Sequence, residues 1–241
     1  MNTSLKPFSR LHSTAWLSAI LFSLTVAVTP LHAADKELHY LTAGKPDAAT
    51  LLPPPSPSDS SEQAAELAEV RTIYHCASSN DIAVAYSEKK FSVFNFTPTI
   101  GTFFTATNLP RTAAFFEKVQ IDAALVTDAG KDYFRRPRPF TTDPSLANGK
   151  LEKSFGYPSG HSTESMVLAL VLADLLPDQR DAILDHARLM GWHRVQIARH
   201  YPSDIYAGRV LAQAITRQLK ESDSFKKDLD AVKTEIAAAQ K

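Results

Sequence analysis

Hydrophobic residues recur at helical spacing through most of the chain after residue 60, which predicts a series of α-helices. The first of these helices begins at Ser61. The others are predicted at about 80–90, 111–135, 161–176, 179–198, 203–219 and 223–239. The aromatic run 91–104 is interrupted by Pro98 and Gly101, so it predicts a loop or short helices. Since no pair of segments has convincing strand character, the sequence predicts an all-α, single-domain helical bundle.

Two of these segments distribute their apolar residues differently. Segment 161–176 is apolar on nearly every face, which predicts a helix in the centre of the core. Segment 223–239 carries one apolar stripe, formed by Phe225, Leu229, Val232 and Ile236. A single stripe is typical of an amphipathic helix that docks on the outside of a bundle.

The first 61 residues do not follow the helical pattern of the rest. Lys6 and Arg10 are the only formal charges before Asp35, and residues 15–28 are almost wholly apolar. This layout predicts a secretory signal peptide over residues 1–33, and therefore a periplasmic or secreted protein. Residues 34–61 contain "LLPPPSPSDSS" and predict a Pro-rich extended leader. The helical domain is then expected over residues 62–241.

Composition restricts the partners of this protein. The chain has 26 Lys plus Arg and 26 Asp plus Glu, so it has no net field to attract nucleic acid or an anionic membrane. No uninterrupted apolar run after residue 34 is long enough to span a bilayer, so we expect no membrane association after signal removal. Cys76 is the only cysteine, which excludes an intramolecular disulfide, and we interpret it as a small buried hydrophobe.

The stretch "KDYFRRPRPF" (131–140) is the first of three polar clusters. Pro137 and Pro139 end the preceding helix and stiffen the backbone around Arg138. Lys131 lies about two helical turns upstream. Fixed cations of this kind suit a multiply charged oxyanion, although a cationic stretch can also be a solvated face.

The second cluster, Pro158-Ser159-Gly160-His161, leads into the apolar segment 161–176. Free backbone N–H groups at a helix start bind anions without side-chain charge. Gly160 permits close approach, Ser159 adds a hydroxyl, and His161 stands at the rim. A simple capping turn is the alternative interpretation.

The third cluster is "WHRVQIARHYPSD" (192–204). Arg194 shares a helical stripe with Ile183, Ala187, Met190 and Ile197, so its guanidinium faces inward and needs an anion. Pro202 begins the next helix, which places His200 just before it and Asp204 in its first turn. A carboxylate there orients the imidazole and leaves its other nitrogen free to attack, although a structural His–Asp pair would look the same.

Together, Lys131-x6-Arg138-Pro139, Pro158-Ser159-Gly160-His161 and Arg194-x5-His200-x3-Asp204 resemble the type 2 phosphatidic acid phosphatase and vanadium haloperoxidase superfamily. Within it, residues 38–235 look most like the bacterial class A non-specific acid phosphatases. The chain departs from that pattern at His193, where the family usually has serine. Arg199 adds a charge that the resemblance does not place.

The resemblance implies hydrolysis of phosphate monoesters through a phosphohistidine. His200 would be the nucleophile, Asp204 would orient it, and His161 would be the general acid and base. The phosphate oxygens would be held by Lys131, Arg138, Ser159, Gly160 and Arg194. Three fixed cations make a divalent metal unnecessary, and no His cluster or carboxylate pair has metal-ligand spacing, so we expect no metal and no other cofactor. The resemblance further implies an acidic optimum, an oligomer, phosphate transfer to other acceptors, and a broad range of nucleotides, sugar phosphates and aryl phosphates as substrates.

Two other functions use the same residues. A vanadate-dependent haloperoxidase would hold vanadate with these cations, and a periplasmic anion-binding protein would need the cations without the two histidines. Membrane-bound lipid phosphatases of the superfamily carry several spans that this sequence lacks. His75, His186 and His193 are isolated in the sequence, so we expect them to be surface or packing residues.

Overall fold

Helices account for nearly all of the regular structure in residues 37–240, the part of the chain that the computed structural model describes. In chain order the α-helices are α1 (Ala48–Leu51), α2 (Ser61–Cys76), α3 (Ser79–Ser87), α4 (Thr97–Ile100), α5 (Pro110–Phe134), α6 (Pro139–Thr142), α7 (Gly160–Leu175), α8 (Arg180–Gln196), α9 (Pro202–Glu221) and α10 (Asp223–Ala239). Short 3₁₀ turns lie at Val93–Phe96, Pro144–Leu146 and Pro177–Gln179. Residues 37–240 contain no β-strand, and the predicted all-α class is confirmed.

Local chemistry explains why the long helices begin close to the predicted positions. The side chain of Ser60 accepts a hydrogen bond from Gln63 N at the start of α2, and Ser222 caps α10 in the same way. Pro202 begins α9, where a missing N–H costs no hydrogen bond. The aromatic run 91–104 forms a 3₁₀ turn and the one-turn helix α4, as its Pro and Gly interruptions indicate.

Helix α7 lies at the centre of the bundle and packs against α5, α8 and α9. Its residues Val167, Leu168 and Leu172 are fully buried, which confirms the expectation from its uniformly apolar sequence. Gly208 lets α9 lie close to the start of α7, because a Cβ at that position would be 2.9 Å from Ser159 O. The N-termini of these two helices are therefore held side by side.

Helix α10 docks on the bundle through its apolar stripe, since Phe225, Val232 and Ile236 are buried and Leu229 is partly buried. The carboxylate of Glu235 accepts the backbone N–H groups of Arg111 and Thr112 at the start of α5. This carboxylate takes the place of a side-chain N-cap, which α5 lacks.

The described part of the leader, residues 37–60, lies against α5. The Asp122 carboxylate of α5 accepts the N–H groups of His39, Tyr40 and Leu41, and Tyr157 donates its hydroxyl proton to Pro53 O. The leader is not extended throughout, because Asp47 caps the short helix α1 within it. The predicted signal peptide, residues 1–33, lies outside the described residues.

The expectation for Cys76 is wrong, because its side chain is exposed. Helix α2 buries Gln63, Leu67 and Val70, and Cys76 projects from a different face of the same helix. Within residues 37–240, no helix combines the length and apolar character that crossing a bilayer requires.

Candidate active site

The three polar clusters meet where the C-terminal ends of α5 and α8 approach the N-termini of α7 and α9. Burial is the property that their charged and polar residues share. Lys131, Arg138, Ser159, Arg194, His200 and Asp204 are all less than 10% exposed. Buried charges require partners, so the contacts of each group indicate what the site is built to hold.

His200, the candidate nucleophile, has both ring nitrogens engaged. Its Nδ1 lies 3.1 Å from Asp204 Oδ2, and its Nε2 lies 3.1 Å from Arg138 Nη1. A guanidinium only donates hydrogen bonds, so Nε2 must accept and the ring proton must be on Nδ1. This assignment leaves the lone pair of Nε2 facing a cationic group.

Asp204 is held by three donors in the interior. Besides His200, its Oδ2 accepts the Tyr201 N–H at 2.9 Å, and its Oδ1 accepts Arg136 Nη1 at 2.6 Å. Burial raises the pKa of Asp204, and the adjacent Arg136 guanidinium opposes that effect. The three donors, one of which is the cationic Arg136, favour the ionised carboxylate.

Arg136 is a residue of the site that the sequence reasoning missed. Its guanidinium bonds Gln63 Oε1 at 2.6 Å and Glu66 Oε2 at 2.5 Å, and it stacks on the Tyr201 ring at 4.1 Å. It therefore links Asp204 to α2. Three arginines around Pro137 drew attention to this turn, but only the packed structure shows that Arg136 faces the carboxylate and Arg138 faces the imidazole.

His161 has different surroundings. Its Nε2 is 3.3 Å from the backbone oxygen of Glu88, just after α3, and its ring lies 5.3 Å from that of Phe91. A carbonyl only accepts, so Nε2 carries a proton and Nδ1 is the nitrogen available for exchange. Glu88 was not among the candidate residues, and nothing in the sequence indicated that its carbonyl reaches His161.

Burial favours the neutral form of both imidazoles. Burial lowers the pKa of His200 well below its usual value, and the charges of Arg138, Arg194 and Lys131 lower it further. Burial also lowers the pKa of His161, with additional effects from Arg194 and His200. Arg138 and Arg194 act on both rings, and His200 also acts on His161, so the two rings share one electrostatic environment.

The start of α7 offers fewer free amides than predicted. Pro158 has no N–H, and Ser159 N donates to Asp204 O at 3.0 Å. The Ser159 hydroxyl is the N-cap of α7 and accepts from Ser162 N. Only the amides of Gly160 and His161 remain without an intrahelical partner. The anion-binding site expected at residues 158–161 therefore consists of two backbone N–H groups and the Ser159 hydroxyl.

Lys131 lies beside this helix start. A Cβ on Gly160 would be 3.2 Å from Lys131 Nζ, so glycine at this position leaves room for the lysine. The ammonium pairs with Asp128 Oδ1 at 2.7 Å, and Asp128 is largely exposed. Lys131 is thus an anchored cation at the edge of the site.

The anion that the buried Arg194 requires is present within the chain. Arg194 Nη2 donates to Glu152 Oε1 at 2.8 Å, and Nη1 donates to Ala85 O at 3.3 Å. Burial lowers the pKa of Arg194 to about 10, so the group stays charged at neutral pH. Glu152 also pairs with Arg199, whose Nε is 2.9 Å from Oε2, and this contact places the arginine that the sequence could not.

The expectation that His193 is isolated is wrong. Its Nδ1 lies 2.8 Å from a carboxylate oxygen of Glu88, the residue whose carbonyl contacts His161. His186 does pack as expected, against the Phe96 ring at 5.0 Å, and His75 is exposed. The position where the resemblance expects serine therefore fixes the loop behind His161.

All eight predicted site residues thus belong to one cluster, which is buried except for the partly exposed His161. The cluster offers three candidate cations, two free amides, one hydroxyl and two neutral imidazoles. Donors and positive charges of this kind match the oxygens of a tetrahedral oxyanion and repel a metal cation.

Comparisons with known proteins agree with this geometry. Residues 119–222, which include every predicted site residue, match the PAP2 superfamily. A non-specific acid phosphatase from Providencia stuartii is 34% identical over 122 residues, 48% of this chain and 49% of that protein. One from Salmonella typhi is 30% identical over 148 residues, 58% of this chain and 59% of that protein. The chain therefore matches only about half of the length of these curated relatives.

A crystal structure of a bacterial vanadium-dependent iodoperoxidase has the same helical fold, with a TM-score of 0.54 and 20% sequence identity over 73% of this chain and 53% of that one. At this identity the likeness concerns the fold alone. The three motifs lie in order within the matched segment, and they surround one buried site in an all-α bundle. Residues 119–222 of this chain are therefore similar to a PAP2 superfamily domain.

Proposed function

We propose that this protein is an exported acid phosphatase that hydrolyses phosphate monoesters through a phosphohistidine at His200. One observation carries the proposal most directly: the unprotonated Nε2 of His200 lies among buried cations, with Nδ1–H donated to Asp204. A neutral nucleophile avoids the repulsion that an anionic one meets at a phosphate dianion. The names of the curated relatives support the same activity.

In the first step, His200 Nε2 attacks phosphorus as the bond to the leaving oxygen breaks. Arg138 Nη1 gives up its bond to Nε2 and moves to a phosphate oxygen, while Asp204 stabilises the imidazolium that forms. His161 donates a proton to the leaving alkoxide. Water then attacks phosphorus, His161 takes its proton, the P–N bond breaks, and His200 returns to the neutral form.

His161 must gain a proton before it can act as an acid, because burial and Arg194 keep it neutral in the free site. A bound phosphate dianion supplies the missing negative charge and raises the pKa of His161 again. A substrate monoanion can also deliver the proton. Both routes favour mildly acidic solution, in keeping with the optimum that the resemblance implies.

Arg138, Arg194, Lys131, the Ser159 hydroxyl and the Gly160 amide would hold the equatorial oxygens as charge moves during transfer. The three cations would neutralise the negative charge of the phosphate, a role that a divalent metal has in many phosphoryl-transfer enzymes. We therefore propose metal-independent turnover on aryl phosphates, nucleotides and sugar phosphates. We further propose that the protein transfers phosphate to other acceptors, that it is exported and that it forms an oligomer.

The test is a turnover assay on the purified mature protein with nitrophenyl phosphate, a nucleotide and a sugar phosphate, each with and without chelator. We expect hydrolysis of all three, unaffected by chelator and lost in His200→Ala. A protein that binds phosphate without turnover would be an anion-binding protein. Bromide oxidation with peroxide and added vanadate, in the absence of phosphatase activity, would instead favour a haloperoxidase.

A further inference from the structure

The loop between α6 and α7 places a carboxylate between two buried guanidinium groups. Glu152 Oε1 is 2.8 Å from Arg194 Nη2, and Glu152 Oε2 is 2.9 Å from Arg199 Nε. Both arginine side chains are almost fully buried, whereas the Glu152 side chain is 24% exposed. The contact thus joins two interior cations to an exposed loop.

Arg199 forms the fixed side of this contact. Its Nη1 donates to Ile197 O at 3.2 Å, its Nη2 donates to Asn148 O, and its guanidinium lies 5.3 Å from the centre of the Phe140 ring. Glu152 is followed by the exposed residues Lys153, Ser154 and Phe155. The backbone of this loop is held by Arg138, whose Nε donates to Ser154 O at 2.7 Å, so the Glu152 side chain is the part that can withdraw with little loss of packing.

Arg194 is the side on which a phosphate would compete. Among the described residues its Nε has no hydrogen-bond partner, and its Nη1 donates at 3.3 Å to Ala85 O. The carboxylate of Glu152 accepts from Nη2. A phosphate that binds the remaining N–H groups of Arg194 would share one guanidinium with this carboxylate, and two anions on one guanidinium repel each other.

We propose that Glu152 is an internal competitor for the phosphoryl group at Arg194. In the free protein its carboxylate neutralises Arg194, and it withdraws when substrate phosphate binds. The inference rests on the proposed function only in taking Arg194 as a phosphate ligand. Its consequence is weaker binding of both substrate and product, which favours release of inorganic phosphate after each turnover.

The other role open to Glu152 is to hold Arg194 in place for the phosphate. The two roles predict opposite changes in phosphate affinity when Glu152 is neutralised. If Glu152 competes, its neutral replacement binds phosphate more tightly. If Glu152 supports Arg194, or if its loss damages the fold, the replacement binds phosphate more weakly.

The experiment measures binding of inorganic phosphate by calorimetry and its competitive inhibition constant with nitrophenyl phosphate. Glu152→Gln keeps the shape of the side chain and removes its charge, and we expect about tenfold tighter phosphate binding. Glu69→Gln removes one exposed carboxylate on α2 and should leave affinity unchanged. Unchanged or weaker binding by Glu152→Gln would overturn the proposal.

Glu152→Asp separates direct contact from a general effect of charge. The shorter side chain keeps the negative charge but cannot reach both guanidinium groups, so we expect affinity between those of wild type and Glu152→Gln. Wild-type affinity in Glu152→Asp would show that only the charge matters and would overturn competition by contact.

A crystal structure of the wild-type protein with orthovanadate tests the same point without any substitution. We expect the Glu152 carboxylate to lie beyond hydrogen-bonding distance of Arg194; a retained pair would contradict the inference. Calorimetry needs no turnover, so a protein without phosphatase activity can still show the predicted tightening. Conversely, an active wild type with unchanged affinity in Glu152→Gln refutes this inference alone.

Discussion

The two histidines of the site are supported in opposite ways. His200 belongs to a chain of buried side-chain contacts in which Asp204, Arg136 and Glu66 follow one another at 3.1 Å or less. His161 makes one 3.3 Å bond to a backbone carbonyl and lies against an aromatic ring. A nucleophile needs a single tautomer throughout, whereas an acid must lose and regain its proton. The difference in support matches the difference in proposed role.

The largest loss of activity should follow from removing the carboxylate that orients His200. Asp204→Asn presents an amide that can donate to Nδ1, which places the ring proton on the attacking nitrogen, and we expect a loss of about 10⁴-fold in kcat. The same change leaves Arg136 paired with Glu66 but without its contact to a buried carboxylate, and should lower the free energy of unfolding by about 1.5–3 kcal/mol.

Turnover of Asp204→Asn should be measured at a temperature where circular dichroism shows it to be folded. Asp223→Asn, which removes an exposed contact with Lys226, is the control and should lower stability by less than about 1 kcal/mol. An Asp204→Asn enzyme with near wild-type kcat would show that the tautomer of His200 does not need this carboxylate.

Loss of His161 should have a smaller effect that depends on the leaving group. His161→Asn removes the proton donor, so we expect a rate loss of about 10²–10⁴-fold with an alkyl phosphate. Nitrophenolate leaves without protonation, so the loss with nitrophenyl phosphate should be much smaller. Equal losses with both esters would rule out the acid role and remove the contrast between the two histidines.

A weaker effect is expected from the residues behind His161. The Glu88 side chain pairs with His193, which holds in place the backbone carbonyl that contacts the imidazole. Glu88→Gln should lower kcat for an alkyl phosphate by about tenfold, because misplacement of a catalytic group by a fraction of an ångström is costly. KM should change little, and Glu62→Gln, exposed on α2, should match wild type in both constants.

If Glu88→Gln reduces activity equally with nitrophenyl phosphate, Glu88 acts on the whole site and not through His161. The dependence of kcat on pH gives a second test. If Glu88 acts through His161, Glu88→Gln should shift the apparent pKa of the catalytic acid.

The smallest expected effect is on stability. Both imidazoles have a pKa below that of the unfolded chain, so the unfolded state binds more protons below about pH 6.5 and acidification destabilises the free protein. Each ring should contribute a slope of up to about 1.4 kcal/mol per pH unit. Urea unfolding at pH 7 and 5.5 should show the loss, and His161→Asn should reduce it. Stability that is constant or rises on acidification would contradict the neutral assignment.

The sequence predicted the helices because helix formation depends on local patterns. The spacing of apolar residues indicated that α7 is buried on all sides and that α8 has an inward stripe, and the order of the motifs gave His161, His200 and Asp204 as candidates, which the fold brings together. Contacts between segments that are distant in the sequence could not be predicted from it. Arg136 on Asp204, Glu152 on Arg194 and Glu88 behind His161 join residues that are 42 to 73 positions apart. Cys76 was misplaced because a lone apolar residue near a helix end has no pattern to fix its face.

The most direct test of the account is to trap the covalent intermediate. The enzyme would be mixed with excess nitrophenyl phosphate, quenched within the first turnover under conditions that preserve phosphohistidine, and digested for mass spectrometry. We predict a phosphoryl group on the peptide that contains His200, absent in His200→Asn and at normal level in Glu69→Gln. Rapid hydrolysis by wild type with no phosphorylated His200 peptide, or with the phosphoryl group on another residue, would contradict the account.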